Sequence, residues 1–251
     1  DRPFSIWTYL IALPITQNFP FAWQIYGIFA RWLAGFGFWL FLRGLFPQRA
    51  KESAWITLIW SVYPGFFSQS VSIAYVQHFL TYALFNFSLA GMVWSIRLPK
   101  FRKLLAALSI LSSFVSLFTM EYYLGLEALR PIILWFLVSD KDKKFWSNLR
   151  KVLYQWIPYV VVVGIFVVYR FWILNIFNQG VSANQPVFLL DIIKDPINSI
   201  ILLLQMSAQD IYYLVFYTFT NTLIPSDILL TSRILLFSLF LGVVISLIFL
   251  Y

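Results

Sequence analysis

The chain has 251 residues, of which 61% are hydrophobic and only 11% charged, with a net charge of +8 and a mean hydropathy of +0.80. A soluble domain needs about a quarter of its residues charged, because its surface faces water, so this composition excludes a soluble globular fold. The absence of cysteine excludes a disulfide framework, a thiolate metal centre and a cysteine nucleophile, and a single histidine argues against a histidine-based metal site.

The expected architecture is an all-α polytopic transmembrane helical bundle. Apolar stretches near the ~20-residue spanning length alternate with short charged connectors. Residues 1–18 are expected to form an external interfacial segment, followed by six spans within 19–176. The first span runs from Phe19 to Leu42. The second runs from Ala54 to about Phe67, broken at Pro64-Gly65, and the third from Val76 to Ile96. Leu104–Met120, Tyr122–Val138 and Val152–Ile176 complete the six. Residues 177–232 read as an external loop with amphipathic helices, and 233–251 as a further span. Within that loop Gln205 and Gln209 lie four apart on one helical face. Crossing would put Asp210 deep in the membrane at a cost of several kcal/mol, which favours helices lying on the surface. The chain starts at Asp1 with no leader-like segment and stops inside an apolar run, so it reads as an internal fragment.

Charge placement gives a direction. Arg43, Arg49, Lys51, Arg97, Lys100, Arg102, Lys103, Lys141, Lys143, Lys144, Arg150 and Lys151 sit in three connectors separated by even numbers of crossings. The positive-inside rule makes all three cytoplasmic. This accounts for the basic balance without nucleic acid, since no basic patch with interleaved aromatics is present. Asp1, Glu121, Glu127, Asp191, Asp195, Asp210 and Asp227 fall in or beside the external segments. An acid-lined external face suits a membrane enzyme; ordinary solvated loop charge is the alternative.

Ionisable residues within apolar runs are the site candidates, because charge in lipid must be paired or wetted. Arg31 lies midway along the first span, and His78 begins the helix after the Pro64-Gly65 break. Glu121, Glu127 and Arg130 cluster where two spans meet. Glu127 and Arg130 are one turn apart and able to pair, for a structural or a functional purpose. Arg170, near a helix end, is placed to snorkel to the headgroups and is not singled out.

The first third contains Asp1-Arg2-Pro3, Pro20-Phe-Ala-Trp-Gln24-Ile-Tyr-Gly27-Ile-Phe-Ala-Arg31, Tyr63-Pro64 and Gln77-His78. Over residues 1–96 it resembles the multispanning glycosyltransferases of the GT-C superfamily, especially the O-mannosyltransferase-like branch. Gln24, Gly27 and Arg31 stand where that pattern has His, Asn and His, and Tyr63 where it has the His before Pro64. The resemblance implies a GT-C-like bundle that moves a sugar from a polyprenyl-phosphate donor to a protein, lipid or glycan acceptor on the external face. With it Asp1 and Glu121 are expected as catalytic carboxylates and Arg2 and Arg130 as cations contacting the substrate, while Arg31, His78 and Glu127, ionisable residues in or beside apolar runs, are expected as further substrate contacts. A carboxylate would take the acceptor proton, and cations would stabilise the departing lipid phosphate. Arg2-Pro3 has a second reading as the start of an interfacial helix, with Pro in a favoured first-turn position. No metal ligands are assigned. A secondary transporter and a non-catalytic membrane scaffold remain the alternatives; the two halves of the chain lack the matching broken helices that transporter repeats carry.

Overall fold

A computed structural model of the chain describes residues 3–63, 72–140, 142, 144–173 and 195–218. Every element among them is helical, and the chain divides into two units, 1–181 and 182–251. The first contains α1 (Ile6–Thr16), α2 (Pro20–Leu45), α3 (Ala50–Ser61), α4 (Ser72–Arg97), α5 (Arg102–Thr119), α6 (Leu129–Val138) and α7 (Phe145–Val168).

The centre of this unit is the α2–α4 pair, and its sequence explains it. On α2 the residues Trp23, Gly27, Ala30, Ala34, Gly37, Phe41 and Gly44 recur at alternating spacings of three and four, and all are buried. On α4 Ser72, Val76, Phe79, Ala83, Asn86, Ala90 and Val93 follow the same rhythm and are buried as well. Such a period keeps one seam facing one partner. Small residues along the seam let the backbones approach, which is how helices associate without a hydrophobic driving force. The approach is close: a Cβ on Gly27 would lie 2.5 Å from Ser72 Oγ, and one on Gly44 2.8 Å from Val93 Cγ1. Asn86 Nδ2 donates to the Ala34 carbonyl (3.0 Å), and Trp94 Nε1 to that of Leu40 (3.0 Å). These pairings advance together along both helices, so α2 and α4 run parallel.

The connectors follow from local chemistry. α2 has Pro20 in its first turn, where a missing N–H does no harm, and ends just before Pro47. Arg43 donates to the Pro47 carbonyl (2.8 Å). Arg97 Nε donates to the Gly44 carbonyl (2.9 Å), which brings the last turns of α2 and α4 together. Phe46 meets Phe136 at the end of α6 (ring centroids 5.8 Å), and Trp135 meets Phe145 at the start of α7 (5.2 Å). All three basic connectors therefore gather at one end of the unit. At the opposite end Trp7 Nε1 donates to Thr119 Oγ1 (2.8 Å), and Phe4 packs edge-on against Phe118 and Tyr169.

Among the described residues of this unit four helices are long and apolar enough to cross a membrane: Pro20–Leu45, Ser72–Arg97, Pro99–Thr119 and Phe145–Val168. The other two expected spans are shorter as helices. α3 has 12 residues and α6 has 10, which at 1.5 Å per residue gives about 18 and 15 Å. Before α6 the chain winds through two 3₁₀ turns, Glu121–Tyr123 and Gly125–Ala128. The α-helix proper begins only at Leu129, with Pro131 in its first turn.

In the second unit α8 (Pro196–Tyr212) is capped by Asp195, whose carboxylate accepts from the Asn198 amide N–H (3.3 Å) and from Asn198 Nδ2 (2.7 Å). A π turn, Tyr213–Tyr217, continues it. The 22-residue stretch is the fifth helix long and apolar enough to cross. Neither its length nor its composition requires the surface placement expected from Gln205, Gln209 and Asp210. The expected span 233–251 lies outside the described residues.

Candidate functional site

Two groups of polar side chains stand out, and they differ in access. The first lies inside the bundle, among α4, α5, α6 and α7. Arg130 is 0% exposed and Glu127 4%. The guanidinium holds the Glu127 carboxylate through Nε and, at 2.8 Å, through Nη2, which also donates to Ser88 Oγ (2.9 Å). Ser113 Oγ donates to Glu127 (3.2 Å), and Ser109 Oγ meets both the Ser88 carbonyl and Tyr159 OH (2.7 Å from the latter). The Tyr159 ring lies 4.2 Å from the guanidinium carbon and the Phe85 ring 5.6 Å. The pair is thus closed on every side by protein. As arranged, its donors are engaged with the bundle and neither side chain presents a face to a substrate, so the geometry matches the structural purpose of the i, i+3 spacing.

The second group sits at the end opposite the basic connectors. Glu121, in the turn after α5, pairs with Arg170 Nη2 at 3.6 Å, both side chains being about 30% exposed (30% and 27%). Its chain neighbour Tyr122 stacks on His78 (6.0 Å, 7° between planes), and His78 stacks in turn on Tyr75 (5.7 Å). Tyr123 OH donates to the His78 carbonyl (3.0 Å), tying this turn to α4.

The expected site residues are therefore divided. Glu121 and His78 come together through Tyr122. Arg31 lies a little less than halfway along α2, half-buried, with its guanidinium 6.0 Å from the Phe79 ring. Glu127 and Arg130 belong to the enclosed cluster. Asp1 and Arg2 lie outside the described residues. Arg170 is the residue that sequence reading passed over: a cation near a helix end has snorkelling as its obvious use, and no local pattern announces a partner 49 positions away. Among the described residues no group of three or more His, Asp or Glu is arranged to hold a metal ion.

Beside this end a cavity of about 440 Å³ opens between the α1–α2 turn and the start of α4, with Gln17, Asn18, Trp23, Gln24 and Ser72 in its wall. Ser72 Oγ donates to Gln24 Oε1 (2.7 Å), and Trp23 Nε1 to the Gln17 carbonyl (3.1 Å).

Among the described residues the protein is all-helical, with five helices long and apolar enough to cross a membrane, and its first unit has a basic end and an end bearing a carboxylate–guanidinium pair. Against protein-family models, curated proteins and solved structures the chain has no match.

Proposed function

We propose that the protein is a membrane glycosyltransferase of GT-C-like architecture, moving a sugar from a polyprenyl-phosphate donor to an acceptor at the external face. The observation that carries this reading is the Glu121–Arg170 pair beside the His78–Tyr122 stack, at the end away from the basic connectors. The positive-inside rule makes that end external. Glycosyl transfer needs a base for the acceptor hydroxyl and a cation for the leaving phosphate. A carboxylate and a guanidinium already in contact supply both. In this mechanism the donor phosphate displaces the carboxylate from Arg170, and Glu121 is left to accept the hydroxyl proton. The acceptor oxygen attacks the anomeric carbon, the bond to the phosphate oxygen breaks, and the lipid phosphate leaves on Arg170. Asp1 is the second carboxylate of the proposal and Arg2 a second cation. Arg31 and His78 complete the substrate contacts.

The transporter and scaffold readings draw instead on the enclosed Glu127–Arg130 pair, whose partners are protein groups. Transfer is tested by supplying a labelled polyprenyl-phosphate sugar to the protein in nanodiscs, comparing wild type with Asp1→Asn, Glu121→Gln and Arg170→Gln. The reading expects loss of transfer in all three. Undiminished transfer in the variants removes these residues from the site, and absence of turnover with several sugars removes the reaction class.

A further inference from the structure

The cavity at the head of α2 is chemically unlike the Glu121–Arg170 site, because none of the described residues that line it is charged. Its polar wall consists of three carboxamides, Gln17, Asn18 and Gln24, and one hydroxyl, Ser72. Pro20, Trp23 and Ile73 supply the apolar part. Carboxamides both donate and accept hydrogen bonds, as the hydroxyls around a sugar ring do. The hydrogen bond from Ser72 to Gln24 Oε1 orients one carboxamide in advance. Gln17 has φ 43° and ψ −130°, and it is the only non-glycine with positive φ among the described residues. Strain of this kind collects where a chain is shaped around a ligand, and here the strained residue is in the cavity wall. At about 440 Å³ the space falls within the roughly 300–1,000 Å³ of small-molecule sites.

The helix below the cavity gives the rest of the ligand. Gln24, Ile28 and Trp32 are spaced by four and share one face of α2. Ile28 and Trp32 are exposed, and Trp32 stacks on the exposed Phe36 (5.5 Å). An uncharged, carboxamide-lined mouth thus continues into an apolar track along a helix of spanning length. An anionic head would find no cation in this wall, and a soluble sugar would leave the track unused.

We infer that this cavity binds the uncharged, hydroxyl-rich head of a glycolipid, with its tail along Ile28, Trp32 and Phe36. In the transferase reading such a lipid is the acceptor, and that assignment rests on the reading; the binding itself does not. The test uses the protein in phosphatidylcholine nanodiscs and a glucosyl diacylglycerol carrying a diazirine in its acyl chain. Phosphatidylglycerol with the same photoreactive chain is the charged-head comparison. Crosslinks to residues 20–45 are counted by mass spectrometry. The neutral glycolipid should label this segment at least about tenfold more than phosphatidylglycerol, a ratio that a few lost hydrogen bonds produce. Gln24→Leu and the exposed-turn variant Asn18→Ala should bring labelling down to the phosphatidylglycerol level, with thermal unfolding as the check that both remain folded. Methyl glucoside in excess should compete if the head is what is recognised. Equal labelling by both lipids, or selective labelling untouched by both variants, overturns the inference. Selective labelling without sugar transfer leaves the site standing and removes the transferase reading; transfer without selective labelling does the reverse.

Discussion

Replacing Arg130 by methionine perturbs the bundle at its most enclosed charge. The side chain is fully buried, and its guanidinium contacts the Glu127 carboxylate, Ser88 Oγ and the Tyr159 ring. Without it Glu127 keeps the Ser113 hydroxyl at 3.2 Å and is left a charge 4% exposed. Breaking a buried pair by removing one partner costs about 3–5 kcal/mol. Glu127→Gln is milder, because the guanidinium keeps its ring contacts and loses only charge-assisted hydrogen bonds, about 2–3 kcal/mol. Removing both charges, as Glu127→Gln with Arg130→Met, leaves no orphaned ion. The double variant should therefore be more stable than Arg130→Met alone, giving a coupling of about 2–3 kcal/mol. The assay is reversible unfolding in mixed micelles by added sodium dodecyl sulfate, followed by circular dichroism. Single variants each costing under about 1 kcal/mol, or a double variant costing the sum of the two, would refute a closed, mutually dependent pair.

The helix seams and the exposed pair respond differently to substitution. Gly27→Leu should destabilise by about 1–3 kcal/mol through overpacking against Ser72, while Gly164→Ala, whose added methyl meets nothing within 4 Å, should not destabilise in the same titration. Asn86→Leu removes the interhelical hydrogen bond to Ala34 and should cost roughly 0.6–1.7 kcal/mol. Arg170→Gln breaks a pair that is partly exposed and should change unfolding by less than about 1 kcal/mol. In the proposed reaction the same change should slow transfer by about 100-fold or more. An Arg170→Gln protein that unfolds early yet transfers normally would make the Glu121 pair a structural contact.

Much of the fold was legible because long apolar runs have few ways to exist other than as helices. The run Phe19–Leu42 becomes Pro20–Leu45, and Val76–Ile96 becomes Ser72–Arg97. α7 begins earlier than its apolar run, at Phe145, because Asn148, Arg150 and Lys151 read as connector while fitting a helix's first turns. The Tyr122–Val138 run folds half as 3₁₀ turns, and only Pro131 hinted at the break. The pairing of Glu127 with Arg130 is announced by their spacing. Its enclosure by Ser88, Ser109, Ser113 and Tyr159 is not, since serines and a tyrosine spread over 72 positions meet only once four helices pack. The Gly and Ala seam of α2 was present in the sequence but hidden among equally apolar neighbours. At the site His78 and Glu121 were visible as ionisable residues in apolar surroundings, whereas the role of Arg170 became visible only through its partner.

The central claim is a membrane-crossing bundle with a basic end on one side and the Glu121–His78 end on the other. The natural absence of cysteine makes it directly measurable. Single cysteines at Gln48, Lys100, Asn18 and Tyr122 can be labelled in intact cells with a membrane-impermeant maleimide, before and after the membrane is opened. The account predicts that Asn18→Cys and Tyr122→Cys react from outside, while Gln48→Cys and Lys100→Cys react only once the interior is accessible. Labelling of all four from the same side would contradict it.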